Sequence, residues 1–189
     1  MDSDMNIIGL AGKKQSGKDT VYQIASELLE APVGRIAFAD PLKLEVSEIT
    51  GFRVDFIEEH KQDFRTLLQV WGTDFRRKFC GSDYWIEQMD SALDKAAGNY
   101  KNIFITDVRF PNEADFIKNK GGRLIKIERR NMTYQNIQEA VDHDRHPTET
   151  EMEDYHSVDY VLNNDGTEKE LHKSVANMLS TLKMTENAA

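Results

Sequence analysis

The stretch GKKQSGKDT, Gly12–Thr20, decides the fold. Four residues separate its first glycine from the pair Gly17-Lys18, which is the spacing of a Walker A phosphate-binding loop. Glycines at these positions let consecutive backbone N–H groups curl around phosphate oxygens. An apolar segment, residues 6–11, precedes the loop, and a helical pattern follows it over residues 17–29. The context predicts a strand, a loop and a helix in succession, with phosphates at the helix N-terminus.

Five short apolar segments alternate with longer stretches of helical spacing. They are predicted to be strands and cover residues 6–11, 35–39, 102–106, 123–128 and 159–162. Strands that alternate with helices form parallel sheets with right-handed crossovers, so we predict an α/β fold of three layers around a five-stranded parallel sheet. Ligands of such sheets bind beyond the carboxyl ends of the strands, where the glycine-rich loop lies.

Two intervals are longer than a simple crossover requires. Residues 42–98 carry several helical patterns, including 64–79 and 83–97, and Pro41 is suited to the first position of the helix that opens the interval. Residues 131–156 are polar and rich in charge and histidine. Both intervals are expected to do more than connect strands.

Composition narrows the class of protein. The chain has 189 residues, which is enough for one hydrophobic core and short for two domains. Its 33 acidic and 24 basic side chains give a net charge of −9, which opposes binding to nucleic acid because such binding rests on neutralising many phosphates. No apolar run approaches the roughly 18 residues of a membrane span, and the N-terminal segment lacks the basic region of a signal peptide. The single cysteine, Cys80, suits a reducing compartment, so we expect a cytoplasmic protein.

Asp19 follows Lys18 at a position where such loops usually carry Ser or Thr. Two unit charges about 4 Å apart repel by about 4 kcal/mol at an effective dielectric of about 20, so a carboxylate beside phosphates needs a cation between them or must turn away. Asp19 could hold Mg²⁺ directly or through water, with the Thr20 hydroxyl as an additional phosphate contact. Alternatively, it complements the helix dipole and pairs with a nearby Lys or Arg. The sequence leaves both interpretations open.

The third predicted strand ends in ITDVRFPNEA, residues 105–114. Asp107 stands where a Walker-B-type carboxylate approaches the metal, Arg109 follows, and Glu113 begins the next helix. The alternative is an ion pair among these side chains that only ties the loop to the helix. Asp40, at the end of the second strand, could divide the contacts to metal and acceptor with Asp107.

Arginines suggest an anionic substrate, because guanidinium groups bind phosphate with two hydrogen bonds and spread the charge of a phosphoryl-transfer transition state. An acceptor phosphate is mostly ionised near neutral pH and needs clamping, whereas a hydroxyl acceptor needs a base, for which Asp40 is the candidate. The arginines in question are Arg65, Arg76, Arg77, Arg109, Arg129, Arg130 and Arg145.

The histidines do not indicate a metal site. His143 and His146 stand with two aspartates in DHDRHPTE, but no helical frame or thiolate accompanies them. Phosphate contact or closure of a lid is favoured over zinc binding. Cys80 is expected to pack rather than to react.

Eight segments occur in a fixed order over nearly the whole chain: GKKQSGKDT, FADPLK, LLQVWGTDFRR, DYW, ITDVRFPNEA, IERR, HPTE and DYVLNNDGT. Together they resemble the bacteriophage deoxynucleoside monophosphate kinases, a branch of the P-loop nucleoside monophosphate kinases. The resemblance implies Mg²⁺-dependent transfer of the γ-phosphate of ATP to a deoxynucleoside monophosphate (dNMP), giving dNDP and ADP.

The resemblance also implies roles for single residues. ATP would be held by Gly12, Ser16, Gly17, Lys18, Asp19 and Thr20, and its adenine bordered by Asn164 and Gly166. The acceptor site would include Lys14, Lys43, Arg65, Gly72, Thr73, Asp74 and Trp85, with the strand-end residue Asp40 beside them. The deoxynucleotide or the metal would be contacted by Asp107, Arg109 and Glu113. The catalytic group would consist of Lys18, Asp107, Arg109 and Arg129, and the metal would lie at Asp19 and Asp107.

The implied organisation is a single kinase domain in which an insertion and a lid interrupt the core. The core would comprise residues 1–41, 99–130 and 157–184, the acceptor-binding insertion residues 42–98, and the lid residues 131–156. The arginine that acts from the lid stays open among Arg129, Arg130 and Arg145. A homodimer through the insertion is compatible with the sequence, and a viral source would place the protein in the host-cell cytoplasm.

Two other functions compete with this interpretation. One is a related P-loop kinase with a hydroxyl acceptor, similar to dephospho-coenzyme A kinase or phosphomevalonate kinase, because P-loop folds host many reactions. The other is a non-enzymatic module that binds ATP and signals through the lid. The Gly72-Thr73-Asp74 turn and its flanking arginines favour a nucleotide acceptor.

Overall fold

The computed structural model describes residues 5–130 and 151–184. Its five strands form one parallel sheet in the spatial order β2-β3-β1-β4-β5, which confirms the predicted α/β fold. The strands are β1 (Asn6–Ala11), β2 (Val33–Ile36), β3 (Asn102–Val108), β4 (Arg123–Glu128) and β5 (Tyr160–Asn163). The glycine-rich loop follows β1, the central strand, so it lies in the middle of the carboxyl edge of the sheet.

Seven α-helices and one π-helix join the strands within the described residues. The helices are α1 (Lys18–Leu28), α2 (Ala39–Thr50), α3 (Val54–Glu59), α4 (Lys61–Gln69), the π-helix (Val70–Cys80), α5 (Tyr84–Ala96), α6 (Pro111–Asn119) and α7 (Glu168–Thr181). No helix in these ranges is both long and apolar enough to cross a membrane.

The apolar strands are buried because helices cover both faces of the sheet, as is usual for parallel sheets. Ile8 and Leu10 of β1 belong to the main core, together with buried residues of α1 and α7 such as Val21 and Val175. On the other face, α6 contacts β1 and β4 and contributes the buried Ile117. Packing on both faces holds β1 in place, and this fixes the position of the loop that follows it.

Three local predictions were wrong. The second strand covers Val33–Ile36 rather than residues 35–39, because the chain enters α2 at Ala39. Pro41 is therefore the third residue of α2 rather than its first. The predicted turn at residues 72–74 lies inside the π-helix, because the helical hydrogen bonding of α4 passes into a wider i→i+5 pattern instead of ending at the glycine.

The chain forms two compact units. The first comprises Met1–Arg35 and Ala96–Ala189 and contains the glycine-rich loop. The second is Ile36–Lys95 and contains α2 to α4, the π-helix and all of α5 except its last residue. The residues predicted to bind ATP lie in the first unit, and most of those predicted to bind the acceptor lie in the second.

Candidate active site

The loop after β1 is shaped by two glycines. Gly12 has φ +151° and Gly17 has φ +99°, in the region that side-chain-bearing residues rarely adopt. A Cβ at Gly12 would lie 2.5 Å from the carbonyl oxygen of Ile127, and one at Gly17 would lie 2.3 Å from Asn164 Nδ2. Neither position has room for a side chain, so glycine at both lets the loop pack against β4 and the segment after β5.

Lys18 lies over the start of this loop. Its Nζ donates hydrogen bonds to the carbonyl oxygens of Gly12, at 2.6 Å, and Lys13, at 2.9 Å. The first turn of α1 thus places an ammonium group at the rim of the loop, where it adds a point charge to the partial positive charge of the helix N-terminus.

Ser16 and Asn164 tie the loop to the far side of the sheet. Asn164 is buried and donates from Nδ2 to the carbonyl oxygen of Ser16 at 2.8 Å, while its own backbone N–H donates to Glu128 at 2.8 Å. Within the described part of the chain, the buried Ser16 Oγ has no hydrogen-bond partner. A buried hydroxyl without a partner is costly, and an incoming phosphate oxygen would satisfy it, so the loop fits a nucleotide phosphate.

Asp19 forms an ion pair with Arg35. The distance from Asp19 Oδ1 to Arg35 Nε is 3.8 Å, and 79% of the Asp19 side chain is exposed. The structure therefore contains the ion pair of the second interpretation of Asp19. Such an exposed pair contributes little to stability, so the carboxylate stays available to a cation. Thr20, in the first turn of α1, is half-buried, and its phosphate contact stays a prediction.

A cleft of about 400 Å³ opens beside the loop in the first unit. It is bounded by the ends of β1 and β4, by the end of β3 and the segment that follows it, and by Met152 and Glu153 of the predicted lid. Five cationic side chains line it: Lys13, Arg109, Lys126, Arg129 and Arg130. A concentration of positive charge in a protein with a net charge of −9 indicates an anionic ligand.

Glu153 provides a counter-charge in this cleft. Its Oε1 lies 2.7 Å from Lys13 Nζ, and its backbone carbonyl accepts a hydrogen bond from Lys126 Nζ at 3.4 Å. The sequence analysis missed Lys13, Lys126 and Glu153 as site residues. Lys13 stands inside the quoted loop and Glu153 inside the predicted lid, whereas Lys126 is marked only by its position in β4, the strand beside β1.

Asp107, Arg109 and Glu113 stay close together at the end of β3. Glu113 is buried, and its Oε2 accepts hydrogen bonds from the backbone N–H groups of Arg109, at 2.8 Å, and Phe110, at 3.2 Å. These bonds hold the start of α6, so Glu113 acts here as a helix-capping residue. Asp107 is half-buried in β3, and Arg109 lines the cleft. Contacts of all three side chains with substrate or metal stay predictions.

The other predicted residues of the first unit surround the loop. Arg129 donates from Nη1 to the carbonyl oxygen of Gln15 at 3.4 Å. The Arg130 backbone N–H donates to Asp165 Oδ1 at 2.6 Å, next to Gly166 in the segment after β5. Lys14 is half-buried in the loop. Arg145, His143, His146 and the predicted lid up to residue 150 lie outside the described residues.

In the second unit, Lys43 is buried and surrounded by carboxylates. Its Nζ lies 2.5 Å from Glu58 Oε2 and 3.8 Å from Asp40 Oδ1. Burial raises the pKa of Glu58, but hydrogen bonds from Lys43 and Lys61 outweigh it and lower this pKa to about 2. Asp40 Oδ2 also accepts a hydrogen bond from the Ala37 N–H at 2.8 Å. Lys43 and Asp40 are thus brought together as predicted neighbours, with Glu58 as a partner that the sequence did not reveal.

The π-helix carries Gly72, Thr73 and Asp74. Gly72 is buried, and its carbonyl oxygen accepts a hydrogen bond from Trp85 Nε1 at 3.0 Å. Trp85 is only 4% exposed, so it packs in the core of this unit. Arg65, on α4, and Thr73 are half-buried, whereas Asp74 is exposed. A role for these residues in holding an acceptor stays a prediction.

The family model for deoxynucleotide monophosphate kinase matches residues 45–175, more than half of the chain. The chain belongs to this family. It is accordingly a nucleotide kinase, a phosphotransferase that acts on small molecules. A protein of Acanthamoeba polyphaga mimivirus, named as a candidate deoxynucleotide monophosphate kinase, is 34% identical over 197 residues, covering 90% of this chain and 94% of that protein. The resemblance to a family with viral members is confirmed, although this relative does not belong to a bacteriophage.

Solved structures place this family member among the P-loop kinases in fold. Shikimate kinase from Aquifex aeolicus superimposes with a TM-score of 0.52 at 16% identity, covering 95% of this chain and 99% of that one. Shikimate kinase from Bacteroides thetaiotaomicron gives 0.53 at 18% identity, with 95% and 99% covered. At such low identity these similarities show the fold alone.

Proposed function

We propose that the protein transfers the γ-phosphoryl group of ATP to a deoxynucleoside monophosphate and releases dNDP and ADP. The observation that carries the proposal is the loop itself. Lys18 Nζ donates hydrogen bonds to the Gly12 and Lys13 carbonyl oxygens, and the buried Ser16 hydroxyl has no hydrogen-bond partner within the described residues. Backbone N–H groups, an ammonium group and a helix N-terminus together favour the phosphates of a nucleotide.

The cationic cleft supports a phosphate as the acceptor. Arg109, Arg129 and Lys126 line a space that adjoins the start of the loop at Gly12. A phosphate acceptor is already ionised near neutral pH, so it needs to be held against a second anion rather than deprotonated. Guanidinium groups supply this clamp and neutralise the charge that develops on the transferred group.

A hydroxyl acceptor would need a base, and the structure supports such a base less well than it supports a binding site for a phosphate acceptor. Asp40, the candidate base, accepts the Ala37 N–H and lies 3.8 Å from Lys43. A carboxylate whose oxygens already face donors of its own unit is poorly placed to take a proton from a substrate hydroxyl. This arrangement favours the phosphate acceptor over the hydroxyl acceptor.

Mg²⁺ is proposed to join the nucleotide at the two carboxylates Asp19 and Asp107. Within the described residues, no group of three or more His, Cys, Asp or Glu side chains could hold a metal ion. The two carboxylates Asp19 and Asp107 fit magnesium, which proteins usually hold through one or two carboxylates together with substrate phosphates. When bound, the ion would neutralise phosphate charge, while Lys18 and the arginines orient the nucleotides.

Further residue roles follow the family resemblance. Lys14 is proposed to reach the acceptor phosphate, and Asn164 and Gly166 to border the adenine. Lys43, Arg65 and the π-helix residues are proposed to line the acceptor site, and residues 131–156 to close over the nucleotides and exclude water.

The reaction is tested with a panel of acceptors. Purified protein is incubated with ATP, Mg²⁺ and each of the four dNMPs, and ADP release is followed in a coupled assay. Turnover above the background without acceptor is expected for at least one dNMP. Ribonucleoside monophosphates and shikimate serve as controls for the sugar and for a hydroxyl acceptor. Turnover with shikimate and with none of the nucleoside monophosphates would contradict the proposed function and support a kinase with a hydroxyl acceptor.

The metal role of Asp19 is tested with a variant and a matched control. Asp19→Ala is expected to raise the Mg²⁺ concentration for half-maximal activity about three- to ten-fold, because one oxygen ligand is lost. Arg35→Ala breaks the same ion pair but leaves the carboxylate, so its metal requirement should stay at the wild-type value. Equal magnesium profiles for Asp19→Ala and the wild type would assign Asp19 to the helix dipole and the ion pair instead.

A further inference from the structure

One carboxylate joins three helices of the second unit. Glu45, on α2, accepts hydrogen bonds at Oε2 from Trp71 Nε1 and Arg76 Nε, both at 2.7 Å. Its Oε1 accepts a hydrogen bond from the hydroxyl of Tyr84, the first residue of α5. Trp71 and Arg76 both belong to the π-helix. Both oxygens of Glu45 are therefore engaged, and the carboxylate is a connector rather than a group waiting for a ligand.

The connector, which we define as Glu45 with Trp71, Arg76 and Tyr84, is partly shielded from solvent. The side chains of Glu45 and Arg76 are 19% and 25% exposed. The guanidinium carbon of Arg76 lies 4.8 Å from the ring centre of Tyr84 and 5.3 Å from that of Trp71, within the range of cation–π contacts. Burial raises the pKa of Glu45, but hydrogen bonds from Tyr84, Trp71 and Arg76 outweigh it and lower this pKa, so the carboxylate is ionised near neutral pH.

The π-helix needs this support. Helices with i→i+5 hydrogen bonds are rare and mostly span a single turn at functional sites, whereas this one covers the eleven residues Val70–Cys80. Gly72, its buried residue, packs close to Leu42 of α2. A Cβ at this position would lie only 2.9 Å from Leu42 Cδ2, so the absence of a side chain permits the contact. The connector and the Trp85–Gly72 hydrogen bond are two of the contacts that hold this wide helix against α2 and α5.

We infer that Glu45 is a positioning residue that holds the π-helix in register and so sets the direction in which Thr73 and Asp74 point. A return to i→i+4 hydrogen bonding would rotate every side chain that follows the change. This inference rests on the proposed function, in which Thr73 and Asp74 serve the acceptor. It adds that acceptor affinity depends on a carboxylate that does not itself contact the nucleotide.

The test compares Glu45→Gln with Glu48→Gln, the same change at an exposed position of α2. Glu45→Gln replaces one accepting oxygen with an NH₂ group and removes the charge that pairs with Arg76. The KM for the dNMP is expected to rise about ten-fold, because Thr73 and Asp74 would no longer be held in the direction that the acceptor needs, while the KM for ATP stays constant. Glu48→Gln should leave both values unchanged. Equal increases in both KM values for Glu45→Gln would overturn the inference.

Amide hydrogen exchange gives a second readout that does not require activity. Backbone amides of Val70–Cys80 are expected to exchange about ten-fold faster in Glu45→Gln, with those of α1 unaffected. Tyr84→Phe removes a single donor and should show the same pattern more weakly, which guards against a variant that fails to fold. If the wild type turned over no dNMP, the proposed function would fail, and exchange alone would judge the positioning of the helix. Unchanged amide exchange in both Glu45→Gln and Tyr84→Phe would overturn the inference that Glu45 positions the π-helix.

Discussion

Replacing Lys18 with methionine is expected to lower kcat for phosphoryl transfer about 10²–10³-fold, the loss typical of removing one preorganised charge from a transition state. Methionine keeps most of the length and the apolar character of the lysine stem but carries no charge. The ammonium group already lies at the loop rim, 2.6 Å from the Gly12 carbonyl oxygen, so little reorganisation is needed when phosphates arrive. Initial rates with saturating ATP and dNMP measure the effect.

Lys173→Met is the matched control. Lys173 is exposed on α7, so this substitution makes the same chemical change away from the loop. Its kcat should stay at the wild-type value. Thermal unfolding of both variants checks that the Lys18→Met loss does not come from a failure to fold. A Lys18→Met enzyme with at least a tenth of the wild-type kcat would contradict the assignment of Lys18 to the transferred phosphate.

The loop and the central strands could be predicted from the sequence because their signals are local. The bounds of β1 and β4 agree with the predicted 6–11 and 123–128, since each is a continuous apolar run that is buried in the sheet. The edge strand β2 begins two residues and ends three residues earlier than predicted. Its apolar run continues through the buried Ala37 and Phe38, which already belong to the approach to α2, so hydrophobicity alone did not mark its end.

The π-helix was hidden for a different reason. A helical pattern over residues 64–79 correctly predicted helix there, but hydrophobic spacing does not distinguish an i→i+4 from an i→i+5 pattern over a few turns. Gly72 was interpreted as a turn residue, although its absent side chain serves the close approach to Leu42. The partners that stabilise this helix, Glu45 and Trp85, are distant in sequence and gave no local signal.

Long-range partners account for most of what the sequence did not reveal at the site. Asn164 was predicted to border the adenine, which stays a prediction, and the structure adds a hydrogen bond from its side chain to the carbonyl oxygen of Ser16, which lies 148 residues away. Asp19 was expected to pair with some Lys or Arg, and only the fold identifies Arg35. Motif spacing predicts which residues approach a ligand, whereas the residues that hold them in place follow from packing.

Gly17→Ala is expected to lower the free energy of unfolding by about 2–4 kcal/mol, from the sum of a strained backbone and a disrupted buried hydrogen bond. With φ +99°, an alanine would occupy the left-handed region at the N-cap position, immediately before α1. Its Cβ would lie 2.3 Å from Asn164 Nδ2, so Asn164 must move and release the Ser16 carbonyl oxygen. Urea unfolding of the wild type and variant measures the loss.

Gly98→Ala separates the two contributions, because Gly98 lies in the same compact unit and has φ +83°, yet no atom lies within 4 Å of its would-be Cβ. It should lose only about 1 kcal/mol, from backbone strain. Asn164→Ala removes the colliding amide, so the further loss on adding Gly17→Ala in that background should fall towards the Gly98→Ala value. If Gly17→Ala cost no more than Gly98→Ala in the wild-type background, the link between Asn164 and the loop would contribute nothing to stability, and Asn164 would be left with the adenine as its only role.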